Sequence, residues 1–302
     1  MVRPSIFAGP FVASRRDYDA AMFGSHLSIA GGMHNALLDA EKLTFDTVQV
    51  FTKNQQQWKV NPLDPSVVKE WRAHSDRLKF AQTVSHDSYL INLASPDDAL
   101  WRKSIDLFVE ELARCAILGI PYLVTHPGAH TGSGEEAGLT RVAAALDLVH
   151  ARVAKGAVMT CLEITAGQGS CLGHRLEHLA TIIDLVNAPD RLGVCLDTAH
   201  LFAGGYDFRG RKYSKFIAEV DSIVGLERVK VLHLNDSKKE LGSRVDRHEH
   251  IGRGTIGLEG FKPILRDKQW KKIPKILETA KEKDDDGRDW DAINLETLKE
   301  LM

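Results

Sequence analysis

An eight-stranded parallel α/β barrel in a single domain, the TIM (β/α)8 class, is the fold this 302-residue chain predicts. Three observations carry the prediction. Short apolar runs alternate with stretches of helical periodicity, the pattern of βα units around a parallel sheet. Eight such runs can be counted, which suits a closed barrel better than an open doubly wound sheet. The runs repeatedly end in His, Asp or Glu, and the C-terminal strand ends are where such barrels carry their sites.

The runs cover residues 23–27, 47–51, 81–85, 122–125, 158–164, 192–197, 229–234 and 275–277. Between them, helical periodicity is clearest over 98–118, 139–154, 174–186, 211–224 and 258–267. Gly119-Ile120-Pro121 stops one helix and launches the next strand. Long segments follow the second, fifth and seventh strands: TKNQQQW, TAGQGSCLG and NDSKKELGSRVDRHEHIGRGTIG. Long loops in a compact domain are more often functional than not. The tail KEKDDDGRDWDAINLETLKELM reads as a solvated charged turn followed by a short terminal helix. Residues 1–21 read as an N-terminal extension before a barrel domain spanning 22–302.

Composition narrows the function classes. A formal charge of −2 supplies no global basic field, so an anionic partner must be met by local patches or bound metal. Cys115, Cys161, Cys171 and Cys195 form no CxxC pair, and buried reduced thiols are expected rather than zinc thiolates. The first residues contain only a short apolar stretch broken by Pro10, without a secretion signal's cleavage pattern. No run has the length of a membrane helix. A cytoplasmic protein is the expectation.

Nine residues at strand ends or in the long loops form the candidate metal set. They are His86 (VSHDS), His126 (LVTHPG), Glu163 (MTCLEIT), Asp197 and His200 (GVCLDTAH), His233 (KVLHLND), Asp246 and His248 (VDRHEH) and Glu278 (KILET). In Asp246-Arg247-His248 an extended backbone sends residues i and i+2 to one side, so both can face one ion. In Asp197-Thr198-Ala199-His200 a turn at the strand end can aim both residues into the barrel mouth. Four carboxylates crowded at one mouth repel one another unless protonated or neutralised. They carry a formal −4, and three divalent ions bring +6, leaving a formal +2 that favours a phosphate. Imidazole and carboxylate without thiolate suit zinc, and manganese or iron fit the same donors. The Gly167-Gln168-Gly169 turn and glycines 252, 254 and 257 permit close backbone approach, to a phosphate or simply in tight turns. Lys53, Lys238, Lys239, Arg244, Arg247 and Arg253 are expected to form a local basic rim.

At these residues the chain resembles the endonuclease IV family of apurinic/apyrimidinic endonucleases. The matching stretches are GSHLSIAGG, VFTKNQQQW, HDSYLINLASP, THPGAH, LEITAGQG, GVCLDTAHLFAGGYD, HLNDSKKELGSRVDRHEHIGRGTIG and ILET, from about Gly24 to the tail. The resemblance implies three divalent ions. His86 and His126 would hold the first, Glu163 would bridge it to a second completed by Asp197, His233 and Glu278, and His200, Asp246 and His248 would hold the third. It implies hydrolysis of the DNA phosphodiester 5′ to an abasic site to leave a 3′-hydroxyl, with Glu163 and Glu278 as catalytic carboxylates and Glu278 orienting the attacking hydroxide. It also implies removal of 3′-blocking fragments. The partner would be double-stranded DNA carrying abasic sites or 3′-blocked ends, met by a monomer with no membrane involved.

DNA contacts are implied for Lys53, Asn54, Gln56, Tyr89, Leu90 and Arg247, with Tyr89 and Leu90 wedging or stacking in the duplex. Two positions depart from the family's pattern. Gln56 stands where Arg is common, which removes a cation from the rim. Ile164 stands where Asn often follows the bridging Glu, which changes hydrogen bonding around the metal. Two other readings compete. A metal-dependent sugar isomerase or epimerase on the same barrel would share several strand-end ligands but has no need of His200, Asp246 and His248 with a KNQ loop. A non-catalytic lesion binder would not need all nine ligands.

Overall fold

The structure, a computed structural model, describes residues 21–80, 82–153, 156 and 158–302. The expected N-terminal extension thus lies, apart from Ala21, outside the described residues, as do Ala81 and Ala154 at the edges of an expected strand and helix.

Eight parallel strands close into a barrel: β1 (Phe23–His26), β2 (Thr47–Val50), β3 (Val84–His86), β4 (Tyr122–Thr125), β5 (Met159–Glu163), β6 (Leu192–Asp197), β7 (Val229–His233) and β10 (Lys275–Leu277). Neighbours follow chain order, and β10 pairs with β1 to close the ring. Two further strands, β8 (Asp236–Ser237) and β9 (His248–Glu249), form a separate antiparallel ribbon in the long loop between β7 and β10. All eight expected strands form. The ribbon was not anticipated, because two-residue strands leave no periodicity to read.

Alternation along each strand divides the core. Val84, Val124, Cys161, Cys195, Val231 and Ile276 form one buried cluster, and a larger cluster contains Val48, Val50, Leu123 and Leu162. In β2 the apolar Val48 and Val50 belong to that larger cluster, while the alternate residues Thr47 and Gln49 are also fully buried. Cys115, Cys161 and Cys195 are buried free thiols, as expected, whereas Cys171, also free, is only partly buried.

Helices α1 (Met33–Lys42), α2 (Pro65–Leu78), α3 (Asp98–Leu118), α4 (Glu135–Arg152), α5 (Leu176–Leu185), α6 (Thr198–Gly204), α7 (Tyr213–Ile223), α8 (Leu258–Arg266) and α9 (Trp290–Leu301) follow or flank the strands. α3 shows why the clear ones were legible. Asp97 caps it by accepting from the Ala99 and Leu100 amides, and Gly119 ends it in the left-handed conformation at φ 76°. α1, α2 and α6 were not anticipated; α2 follows a Pro-containing loop and starts at Pro65 behind the cap Asp64. α4 begins four residues before the expected start, at Glu135 rather than residue 139. The tail forms as expected, an exposed charged turn followed by the helix α9, which docks through the buried Asp291, Asn294, Leu295, Leu298 and Leu301. Among the described residues no helix is long and apolar enough to cross a membrane.

Candidate metal centre

Strand ends deliver the ligands. His86, Glu163, Asp197 and His233 are the last residues of β3, β5, β6 and β7, while His126 and Glu278 stand one residue past β4 and β10. His200 comes from the first turn of α6, where Asp197 is the cap and its Oδ1 accepts from the His200 amide at 2.7 Å. The expected turn after Asp197 is therefore a capped helix start. Asp246 and His248 come from the ribbon loop, and they do share a side, with Asp246 Oδ1 3.4 Å from His248 Nε2.

Three groups of donor atoms result, each drawn within 4.8 Å: His86, His126 and Glu163; Glu163, Asp197, His233 and Glu278; and Asp197, His200 and His248. Asp246 reaches the third group through His200 Nε2 at 3.2 Å. Glu163 is central, with its oxygens 3.2 Å from His86, 3.4 Å from His126, 3.0 Å from His200 and 3.2 Å from His233.

The imidazoles are oriented by their second nitrogens. His86 Nδ1 donates to the Asp87 carbonyl at 2.9 Å, and His200 Nδ1 to the Ile164 carbonyl at 3.0 Å. His248 Nδ1 faces the Glu278 carbonyl at 3.5 Å. Each anchor leaves the Nε2 lone pair pointing among carboxylates. The buried Nε2 atoms of His200 and His248 have no hydrogen-bond partner. Buried polar nitrogens are seldom left so, and a cation would satisfy them. Among the described residues, every ion-pair partner of Glu163, Asp197, Asp246 and Glu278 is an imidazole, with no lysine or arginine to balance them.

The electrostatics follow. Burial alone would raise the Glu163 and Glu278 carboxyls, but the surrounding imidazoles, His233 foremost, hold both well below the usual range. Burial likewise opposes charge on His86, yet its bond to Glu163 and the nearby carboxylates push it up to about 9. Against the same burial, His200 is raised chiefly by Asp197, and His233 by Cys195 and then Glu278. Protons thus occupy a site whose carboxylates demand positive charge. The residues fit divalent cations: hard oxygens, oriented imidazoles and unmet lone pairs. Cys195 lies within reach of Glu163 and His233, but burial raises its thiol far above the ordinary value, which disfavours the thiolate.

The remaining expected residues separate into rim and interior. Tyr89 is 71 % exposed above the mouth, its ring 6.0 Å from His86 and 5.5 Å from Phe51, so it is not ordinary core packing. Leu90 beside it is partly buried, and Asn54, Gln56 and Arg247 are exposed. Lys53 departs from the expected rim. It is buried, 3.8 Å from the buried Glu111, and donates to the Asn54 carbonyl at 2.8 Å, because an ammonium under the loop needs its own counter-charge. Arg244 stays exposed at the rim, donating to the Gly167 carbonyl at 3.0 Å.

The glycines resolve as turns. Gly167 packs so closely that a Cβ there would meet His174, and Gln168 Oε1 accepts from the Asp246 amide at 3.1 Å. The amides of Gly252, Gly254, Ile256 and Gly257 surround the Asp236 carboxylate at 2.9 to 3.3 Å, joined by Ser237. The anion in this nest is the chain's own. The Ile164 side chain is fully buried, and it is the Ile164 main-chain carbonyl that holds His200.

Sequence reasoning missed His26, Gln49 and Asn235. Asn235 ties the site together: its Nδ2 donates to Asp197 Oδ2 at 2.6 Å and its Oδ1 accepts from the Glu278 amide at 2.8 Å. His26 carried the same strand-end signal as the other histidines, and Gln49 was visible as a polar residue inside TVQV.

Comparison with known proteins agrees with this geometry. A family model described as xylose isomerase-like TIM barrel matches residues 37–301. The chain is 50% identical over 283 residues to "Probable endonuclease 4" of Chloroflexus aurantiacus, covering 93% of this chain and 98% of that protein. The crystal structure of endonuclease IV from Thermus thermophilus superposes with a TM-score of 0.80 at 36% identity, over 93% of this chain and 98% of its own. A D-tagatose 3-epimerase-like protein, at 19% identity and a TM-score of 0.70 over 93% of this chain and 96% of its own, shares the fold alone. The chain therefore belongs to the endonuclease IV family, built on the xylose isomerase-like TIM barrel.

Proposed function

We propose that this chain is a metal-dependent DNA-repair endonuclease that hydrolyses the phosphodiester 5′ to an abasic site, leaving a 3′-hydroxyl, and that it also clears blocked 3′ ends. Family membership makes it a DNA-cleaving hydrolase. The observation that carries the finer reading is the set of imidazoles anchored through one nitrogen and left with a free lone pair among four carboxylates.

His86 and His126 with Glu163 would hold one divalent ion, Glu163 with Asp197, His233 and Glu278 a second, and His200, Asp246 and His248 a third, with Asp197 adjacent. Zinc suits these donors best. Ions so held supply an acidified water, a clamp on phosphate oxygens and charge to meet the leaving oxyanion. The chain's residues do the rest. Glu278 turns Oε2 toward the cluster, 3.0 Å from His233 Nδ1, and is placed to orient the attacking water. Glu163 is closed off from solvent and bridges two groups. Tyr89, Leu90, Asn54, Gln56 and Arg247 would meet the distorted duplex. Lys53 supports their loop from beneath. This chemistry needs only a monomer acting on double-stranded DNA inside the cell.

A sugar epimerase reading finds only fold-level support and leaves the third group without a purpose. The test is a duplex carrying one tetrahydrofuran site, which blocks lyase chemistry. Metal-replete protein should nick it on the 5′ side, and a duplex left intact would overturn the proposal.

A further inference from the structure

His233 is the exception among the anchored imidazoles. His86, His200 and His248 lean on main-chain carbonyls, which no substitution removes. His233 leans on a side chain: its Nε2 lies 2.9 Å from Gln49 Oε1, and both residues are fully buried. Gln49 uses both amide hydrogens and its oxygen here. Its amide nitrogen reaches Glu278 Oε1 at 2.6 Å and His26 Nδ1 at 3.0 Å. The amide cannot be reversed, because its oxygen would then face the Glu278 carboxylate at that short distance. With the oxygen turned to His233, Nε2 must carry the proton and Nδ1 the lone pair. That Nδ1 lies 3.2 Å from Glu163 and 3.0 Å from Glu278, on the side of the carboxylates. Gln49 also occupies Glu278 Oε1, so Glu278 has one oxygen, Oε2, left for the cluster.

We infer that Gln49 is the positioning residue of the central group: it commits His233 to bind metal through Nδ1 and Glu278 to bind through Oε2 alone. The inference rests on the metal-centre reading above. His26 completes the arrangement. It is the ladder neighbour of Gln49 in the β1–β2 pairing, and its Nδ1 accepts the second amide hydrogen.

The experiment measures zinc retention against a chelator, without DNA, in the wild type, Gln49→Leu and Gln49→Glu. Long-range proton–nitrogen spectra of the zinc-loaded proteins report which imidazole nitrogen is protonated. Gln49→Leu removes both contacts and should weaken the tightest affected zinc by about 10- to 100-fold, as loss of such outer partners does. Its kcat on the tetrahydrofuran duplex should fall with KM little changed. Gln49→Glu is isosteric and keeps an acceptor for His233 while setting a carboxylate against Glu278. It should preserve Nε2 protonation of His233 yet lose zinc more readily, and it carries the test if Gln49→Leu does not fold. A wild type protonated on His233 Nδ1, or variants that hold zinc as the wild type does, would overturn the inference and leave the metal reading standing. A wild type that binds no zinc would overturn both.

Discussion

Among the described residues, two clusters of imidazole and carboxylate resolve their charge in opposite ways. At the mouth, backbone carbonyls take the Nδ1 protons of His86 and His200 and turn Nε2 toward carboxylates, Glu163 and Asp246, each at 3.2 Å. In the second cluster, Glu135, His174 and His178 also gather donor atoms within 4.8 Å. There the Gly173 amide donates to His178 Nδ1 at 3.1 Å, while His178 Nε2 lies 3.3 Å from Glu135 Oε2 and 2.9 to 3.1 Å from the Arg175 guanidinium. Arg175 reaches Glu135 at 3.1 Å, and Arg244 approaches His174 Nε2 at 3.4 Å. Burial lowers both histidines, His178 to about 4, while His86, His200 and His233 at the mouth are raised. Proximity of ligand-type residues is shared by both clusters. What differs is whether arginine already supplies the charge: Arg175 balances Glu135, whereas the carboxylates of the mouth have only imidazoles as ion-pair partners. The second cluster is a closed ion-pair network.

The strongest way to break this contrast is to remove ligands from each side. His200→Ala and Asp246→Ala should each lower incision by about three orders of magnitude with the fold kept, the several kcal/mol that a catalytic metal supplies. Glu135→Ala should leave incision and metal content unchanged. Near-normal turnover in either mouth variant, measured on the tetrahydrofuran duplex, would take the third group out of the mechanism.

Next in size is Asp236→Ala. It would strip the anion from amides at Gly252, Gly254, Ile256 and Gly257. A single buried donor left unmet costs about 1–3 kcal/mol, so several together should markedly lower Tm and loosen the ribbon that presents Asp246 and His248. An unchanged melting curve would show the nest to be dispensable.

Titration sharpens the contrast further. In metal-free protein His86 sits at about 9, above its ordinary 6.5. A folded-state value raised in this way stabilises fully below pH 6.5, and the contribution disappears as pH climbs through 9. Metal-stripped protein should therefore lose Tm across that window. Zinc should restore more at the alkaline end, where protons compete less. A Tm of the stripped protein that rises from pH 6.5 to 9 would contradict the assignment. The smallest effect belongs far from both clusters: Asp97→Ala removes the cap of α3 and should cost about 1 kcal/mol in denaturant unfolding, with incision untouched.

Legibility in the sequence tracks what is local. Strands of three to six residues could be placed from their apolar runs, and polar residues at or just past the ends of those runs gave His86, His126, Glu163, Asp197, His233 and Glu278, while His200, Asp246 and His248 were read from short local pairs. Gln49 and Asn235 were passed over because their work is to hold other ligands across strands, a relation invisible before the barrel closes. Lys53 was misjudged because a lysine in a loop reads as solvated, whereas its partner Glu111 lies 58 residues along the chain, on α3. The glycines of GRGTIG were rightly read as allowing close approach, but the anion they meet is Asp236 of the same loop. α6 was missed because its seven residues begin at the Asp197 strand end itself.

Elemental analysis of the zinc-grown protein tests the central contrast most directly. About three ions per chain are expected in the wild type, the same number in Glu135→Ala and His178→Ala, and one fewer in His200→Ala. A metal-free wild type, or a loss of zinc on changing Glu135 or His178 but not His200, would contradict it.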